Sequence, residues 1–363
     1  MPAAALTPMP AAALAPAPLA RYLFGAYVLL IVYASLYPLT GWRDQGLGPL
    51  AFLSSPLPKT FLAFDVITNL AIYAPLGMFI VASLPARWPA LLTVALAALG
   101  CLALSLAMEA VQTYLPSRVP SNLDVALNTA GGSIAAALYA WARPHARLGL
   151  RGVRESWFIA GDRGDIGLVV LGLWLFTQLN PETLLFGAGD LRDLFEAVPD
   201  KVLPPELFMR VEATVSAAHL SAALIFATTL LQSGRTSLGP IALLVVVSLA
   251  IRSVAYSVLF NPHSVFAWAT PGALLGIGVG LLVALLAMRL PRSVRLALAG
   301  MLLMMATAIV NFAPGNPYLA DALSVWQRGH FLNFNGLTAF VSAVWPLLAL
   351  GYLLSFPRHD RTR

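Results

Sequence analysis

The stretch PALLTVALAALGCLALSLAMEAVQ, residues 89–112, holds one charged side chain, Glu109, close to its end. A helix needs about 20 residues at 1.5 Å rise to cross ~30 Å of hydrocarbon. Lipid offers the backbone no hydrogen-bond partner, so such a run is helical. Working outward, nine more stretches of this kind follow: 22–38, 65–84, 122–142, 166–184, 211–232, 238–260, 266–288, 295–313 and 335–355. The predicted fold is all-α, a polytopic transmembrane helical bundle of about ten spans.

Composition agrees. Of 363 residues, 59% are hydrophobic and 10% charged, against about 25% charged in soluble domains. A net charge of +6 would suit nucleic acid, but the basic residues sit in short gaps between apolar runs and form no soluble face, so no nucleic-acid partner is expected. The single cysteine, Cys101, excludes an intrachain disulfide and a cysteine-cluster metal site. His219, His263 and His330 show no metal-ligand spacing, and HExxH, GxSxG, CxxC and phosphate-binding Gly-rich loops are missing. No metal and no cofactor are therefore expected.

The gaps give an orientation, because short loops rich in Lys and Arg stay cytoplasmic. Arg143, Arg147, Arg151, Arg154 and Arg163, then Arg289, Arg292 and Arg295, then Arg358, Arg361 and Arg363, together with Arg21, Arg87 and Arg235, fall on one side of a ten-span chain. The acidic gap 185–210, with Asp190, Asp193, Glu196, Asp200 and Glu206, falls on the other. Both termini are thus expected in the cytoplasm of a bacterial inner-membrane protein.

The basic stretch 143–165 divides the chain. The predicted parts are a disordered Ala/Pro-rich tail (1–20), a four-helix transmembrane domain (21–142), a basic cytoplasmic linker (143–165), a six-helix transmembrane domain (166–356) and a basic tail (357–363). A faint echo crosses the divide: helix 1 ends in Ser35-Leu36-Tyr37-Pro38 and helix 5 in Gln178-Leu179-Asn180-Pro181. Met108 to Leu115 and Gly131-Gly132 are loosely matched by Ala255 to Asn261 and by Gly276 and Gly278. One reading is a degenerate parallel 4+4 repeat plus two helices; the other is that apolar helices resemble one another by composition.

Ionisable groups inside a span are costly and mark functional sites. The first four helices concentrate them. Asp65, Asn69 and Tyr73 share one face of helix 2, helix 3 ends in Glu109 and Gln112, Arg118 lies in the next loop, and helix 4 opens on Ser121-Asn122-Leu123-Asp124 with Asn128 one turn on. Three helices thereby bring polar groups to one depth near the outer interface. The same residues suit an ion-pair lock of Glu109, Arg118 and Asp124, with Asn69, Gln112 and Asn128 as interhelical glue. Gly77, Gly131 and Gly132 read as close-packing positions. Arg252, inside helix 7, reads as paired with Glu212 or Glu206, or as a second anion-binding position. The run Trp326 to Gly336 reads as an interfacial aromatic belt or a cover over the pocket.

These motifs, Asp65…Asn69…Tyr73-Ala74-Pro75-Leu76-Gly77, Glu109-Ala110-Val111-Gln112 and Arg118…Ser121…Asp124…Asn128…Gly131, resemble the VanZ-like family over about residues 22–142. That family takes its name from a protein of glycopeptide-resistance clusters that lowers susceptibility to teicoplanin. The resemblance implies cell-envelope biology and antibiotic resistance, and no particular reaction. The rest of the chain looks like the extension of longer members.

The expected function is an outward-facing polar site that binds an anionic or lipid-linked envelope component, lined by Glu109, Gln112, Arg118, Ser121 and Asp124, with Asp65, Asn69, Tyr73 and Asn128 in support. Membrane lipids and a lipid-linked precursor are the expected partners. Two rivals stand beside it. One is a membrane enzyme acting on a lipid or peptidoglycan precursor, with Glu109 or Asp124 as general acid/base. The other is a lipid transporter or flippase, which the apolar inner halves of helices 2–4 disfavour.

Overall fold

The computed structural model describes residues 18–57, 63–192, 204–232, 238–259, 265–313 and 332–355. The terminal tails, His263, His330, Asp193, Glu196, Asp200 and the aromatic run from Trp326 to Phe331 lie outside the described residues, as do the side chains of 143–153.

Among the described residues the structure is helical, with one isolated antiparallel bridge, Phe158 to Leu231. The chain forms two compact units, Met1–Glu155 and Ser156–Arg363. The first contains α1 (Pro18–Leu36), α2 (Ala63–Ser83), α3 (Ala90–Gln112) and α4, which begins at Asn122. The second contains α5 (Asp162–Thr177), α6 (Pro205–Thr229), α7 (Leu238–Leu259), α8 (Pro271–Ala287), α9 (Arg292–Phe312) and α10 (Leu332–Leu354). These ten helices coincide with the ten apolar stretches. Helix α4 runs on from Asn122 to Trp157, so most of the basic stretch expected as a linker is helical.

Among the described residues, seven helices, α1, α2, α3, α6, α7, α9 and α10, are long and apolar enough to cross a membrane. Helix α5 has 16 residues and α8 has 17, fewer than the ~20 that span the hydrocarbon, and α4 opens on polar residues. Helix α8 starts at Pro271 because Thr270 caps it, accepting a hydrogen bond from Ala273 N, and a first-turn proline costs no hydrogen bond.

In the first unit, α2 is central, packing on α1 and α3. It also meets α4 backbone to backbone. A Cβ on Gly77 would lie on the Gly132 carbonyl, and one on Gly131 would lie on the Leu70 carbonyl. These glycines are therefore packing positions: without side chains, the two helices approach until only backbone separates them. The apolar interior consists of Ile31, Leu76 and Cys101, then Val81, Ala97, Ala136 and Ala140.

In the second unit, α6 is central and packs on α8 and α9, while α10 packs on α5 and α9. Between α5 and α6 the chain is non-helical yet largely buried from Gln178 to Gly189. Its backbone groups are satisfied by side chains and neighbouring carbonyls. Ser216 Oγ donates to Leu185 O, Asn311 Nδ2 to Gly189 O, and Gly189 N to Ser342 O. Buried irregular backbone persists only with such partners.

Candidate functional site

The polar residues of the first unit gather at the end formed by the start of α2, the end of α3 and the start of α4. Glu109, one turn from the end of α3, is 5% exposed, and its Oε2 accepts a hydrogen bond from Ser121 N at 2.8 Å. Ser121 does two jobs with different atoms: its N–H holds Glu109, and its Oγ caps α4 by accepting from Asp124 N at 3.3 Å. The expected result for Ser121→Ala is thus a loss of about 1 kcal/mol from the cap, seen as a small drop in the thermal midpoint, with the Glu109 contact retained.

Asp124 is half-buried. The side chains of Ser121 and Asn69 address its carboxyl group, and Asp65, itself exposed, lies close enough for its charge to act on it. Deeper in, Asn128 Nδ2 donates to Ser105 Oγ at 3.0 Å, and the Tyr73 hydroxyl lies against the same serine. Asn128 is 7% exposed and its Oδ1 has no hydrogen-bond partner. Ser105 is the member of the set that the sequence reading missed. Its signal is its place one turn before Glu109, on the face that also carries Cys101 and Gln112.

Gln112 and Arg118 turn elsewhere. Gln112 Nε2 donates to Ser35 O at 2.8 Å, and Arg118 donates to Ala34 O at 3.1 Å and twice to Tyr37 O, at 2.8 and 3.2 Å. The last carbonyls of a helix have no intrahelical donor, and these two side chains supply it for α1. The guanidinium is therefore a C-terminal cap and not one arm of an ion-pair lock. Burial pulls its pKa below the usual arginine value, and the charge of Glu109 works the other way.

A cover also escaped the sequence reading. The connection from α1 to α2 contains a 3-10 turn, Ala51–Ser54, with Phe52 buried. Gln45 Nε2 donates to Thr113 O at 2.6 Å, Asn122 Nδ2 to Ser55 O at 2.7 Å, and Arg43 N to Tyr114 O at 3.0 Å. The connection is thereby tied to the end of α3 and the loop that follows it. Alternation in an extended polar stretch gives no sign of such pairing.

The collected site is rich in acceptors. It holds three carboxyl groups (Asp65, Glu109, Asp124) and the unpartnered Asn128 carbonyl, and the one guanidinium whose charge reaches Glu109, that of Arg118, is already engaged with α1. Among the described residues no group of three or more His, Cys, Asp and Glu could hold a metal ion.

In the second unit, His219 is fully buried with Nδ1 3.2 Å from Val215 O, a contact within its own helix. Arg252, 1% exposed, donates to the carbonyls of Asn180 and Thr183 and lies over the Tyr256 ring at 5.2 Å. Glu212 acts on it through its field.

Residues 24–143 match the family model described as VanZ/LLP1. No curated protein and no solved structure matches the chain. The matched segment holds every polar group of the site and the helices that carry them. The chain is therefore similar to VanZ-like membrane proteins over its first unit, and carries beyond it a second helical unit to which that similarity does not extend.

Proposed function

We propose that this is a multi-pass protein of the bacterial cytoplasmic membrane, with both termini cytoplasmic. Its VanZ-like unit presents to the outside a site for the headgroup of a lipid-linked envelope component. The observation that carries the reading is the excess of hydrogen-bond acceptors at this end of the unit: the buried Glu109 carboxyl held by one backbone N–H, Asp124 near it with Asp65 beside Asp124, and the Asn128 carbonyl buried without a donor. Buried acceptors are costly until a donor arrives. Headgroups bearing hydroxyl, amide or amine groups bring donors, whereas a bare anion would meet like charge. Of the anionic and lipid-linked ligands compatible with the sequence, the site thus favours a donor-rich, lipid-linked one. Retention of such a component also offers a route to altered glycopeptide susceptibility, as the resemblance implies.

The test is native mass spectrometry of lipids copurified with the protein. Wild type is expected to retain a specific lipid-linked species, and Glu109→Gln to lose most of it at an unchanged thermal midpoint. Equal retention by both proteins would sink the reading. In cells, the same substitution is expected to erase any change in teicoplanin susceptibility that the wild type confers.

A second reading, an enzyme, is favoured by one arrangement. Glu109 stands beside a chain of Tyr73, Ser105 and Asn128 that is suited to holding a proton. It requires turnover of the retained species, visible as a mass change that Glu109→Gln prevents. Transport is disfavoured by the apolar interior below the site, formed by Val81, Ala97, Ala136 and Ala140.

A further inference from the structure

The second unit, which lies outside the stretch matched by the family model, repeats several contacts of the first. In each, a proline follows within four residues of the end of the first helix, and the carbonyl of the residue before it accepts from an arginine: Tyr37 from the partly buried Arg118 in the loop after α3, Asn180 from the buried Arg252 inside α7. In each, a hydroxyl residue caps the fourth helix by accepting from the N–H three residues on: Ser121 from Asp124, Thr270 from Ala273. A carboxylate of the second helix approaches the capped turn: Asp65 in the first turn of α2 acts on Asp124, and Glu212, two turns into α6, reaches Thr270. Glycine on the fourth helix meets backbone carbonyls of the second: Gly131 that of Leu70, Gly280 that of Ala217. In both units the second helix packs on the first and the third, and the first on the third. The spacing also agrees: more sequence separates the first two helices (Leu36 to Ala63, Thr177 to Pro205) than the next two (Ser83 to Ala90, Thr229 to Leu238).

Composition does not produce this agreement. Apolar helices resemble one another in sequence, but hydrogen bonds from an arginine to the carbonyl before a proline, and caps one turn from a shared acidic neighbour, are specific placements. We infer that α5–α8 is a degenerate second copy of the VanZ-like four-helix unit that has lost the carboxyl site, with α9 and α10 as additions.

The caps and the glycines fix the register and show what was lost. Asp65 corresponds to Glu212 and Asn69 to Ser216; Tyr73 corresponds to Leu220. On the fourth helix, Asp124 and Asn128 give way to Ala273 and Ile277. Carrying the offset of the second helix onto the third puts Arg252 and Tyr256 at the Ser105 and Glu109 positions. The acceptors that the first unit gathers around Glu109 are thus replaced by apolar groups and by an internal guanidinium. That guanidinium is held against Asn180 and Thr183 at 1% exposure, so the second unit keeps the frame without the site. Helices α9 and α10, packed on α6 and α5, cover faces that the first unit leaves to other neighbours.

The consequence is one ligand site per chain, which rests on the proposed function only for what the site binds. A cryo-electron microscopy structure of the full chain in lipid nanodiscs tests the frame. Helices α1–α4 are expected to overlay on α5–α8 with Gly131 on Gly280, and a different helix order or register would overturn the duplication whatever the ligand. Native mass spectrometry of Glu212→Gln tests the lost site. Retention of copurified lipid is expected to equal wild type, while a fall like that of Glu109→Gln, or headgroup density at Arg252, would overturn it. Should Glu109→Gln itself leave retention unchanged, the binding reading fails and the overlay still decides the duplication.

Discussion

Gly131→Val is expected to leave almost no folded VanZ-like unit, with destabilisation above about 4 kcal/mol, beyond the ordinary range for point substitutions. The first carbon of the new side chain would lie on the Leu70 carbonyl. Overpacking a core usually costs about 1–3 kcal/mol because side chains can shift; here the obstacle is backbone, so α2 and α4 must separate. Separation also parts Asn69 on α2 from Asp124 on α4, and pulls Tyr73 and Asn128 off the Ser105 hydroxyl that both address. Gly77→Val, which meets the Gly132 carbonyl, is expected to behave the same way. Gly25→Val is the control, because no atom lies within 4 Å of a Cβ there. Yield of monodisperse protein and the thermal midpoint measure all three. A Gly131→Val protein within a few degrees of wild type would show that the two helices do not meet as described.

The helices were legible because bilayer thickness and hydrogen-bond demand leave an apolar run little choice of structure. Where the structure departs from the run, local chemistry explains it. Helix α5 stops at Thr177, although the apolar stretch reads on to 184, because Thr177 and Gln178 turn their side chains onto Trp174 O and Pro181 blocks continuation. Helix α4 passes 142 because an arginine-rich sequence keeps good helix propensity after it ceases to be apolar.

That polar side chains of α2, α3 and α4 gather at one end was legible, and their wiring was less so. Asp65, Asn69 and Tyr73 share a face by helical spacing alone, and Ser121 announces a helix start. That Arg118 and Gln112 serve the end of α1 depends on where α1 ends in space, and no spacing encodes that. An arginine flanked by carboxylates in sequence suggested ion pairing. The α1 carbonyls compete with those carboxylates and win, since two carbonyls at the end of α1, Ala34 O and Tyr37 O, take three hydrogen bonds from one guanidinium.

The same competition sets the expectation for Arg252, the other large effect. Arg252→Met keeps much of the side-chain volume but removes the donors that reach Asn180 O and Thr183 O. Replacing a buried charge by an apolar group is neutral when its partners are replaced too, and costly when they stay behind, at about 3–5 kcal/mol for a broken pair. Here the partners are backbone carbonyls of the buried, non-helical stretch after α5; Asn180 O keeps one further donor, the Thr183 hydroxyl at 3.1 Å, and the Thr183 carbonyl loses its guanidinium donor. A loss near 3 kcal/mol is therefore expected, appearing first as protease cleavage between Gln178 and Gly189 and then as a lower thermal midpoint. Arg252→Lys brings a single ammonium to two carbonyls that the guanidinium serves with separate nitrogens, and should recover only part of the loss. The VanZ-like unit folds around its own core of Leu76, Cys101 and Val81, so lipid retained at Glu109 is expected to survive in whatever Arg252→Met protein remains folded. Full stability of Arg252→Met would mean that the arginine is held there by something other than these two carbonyls.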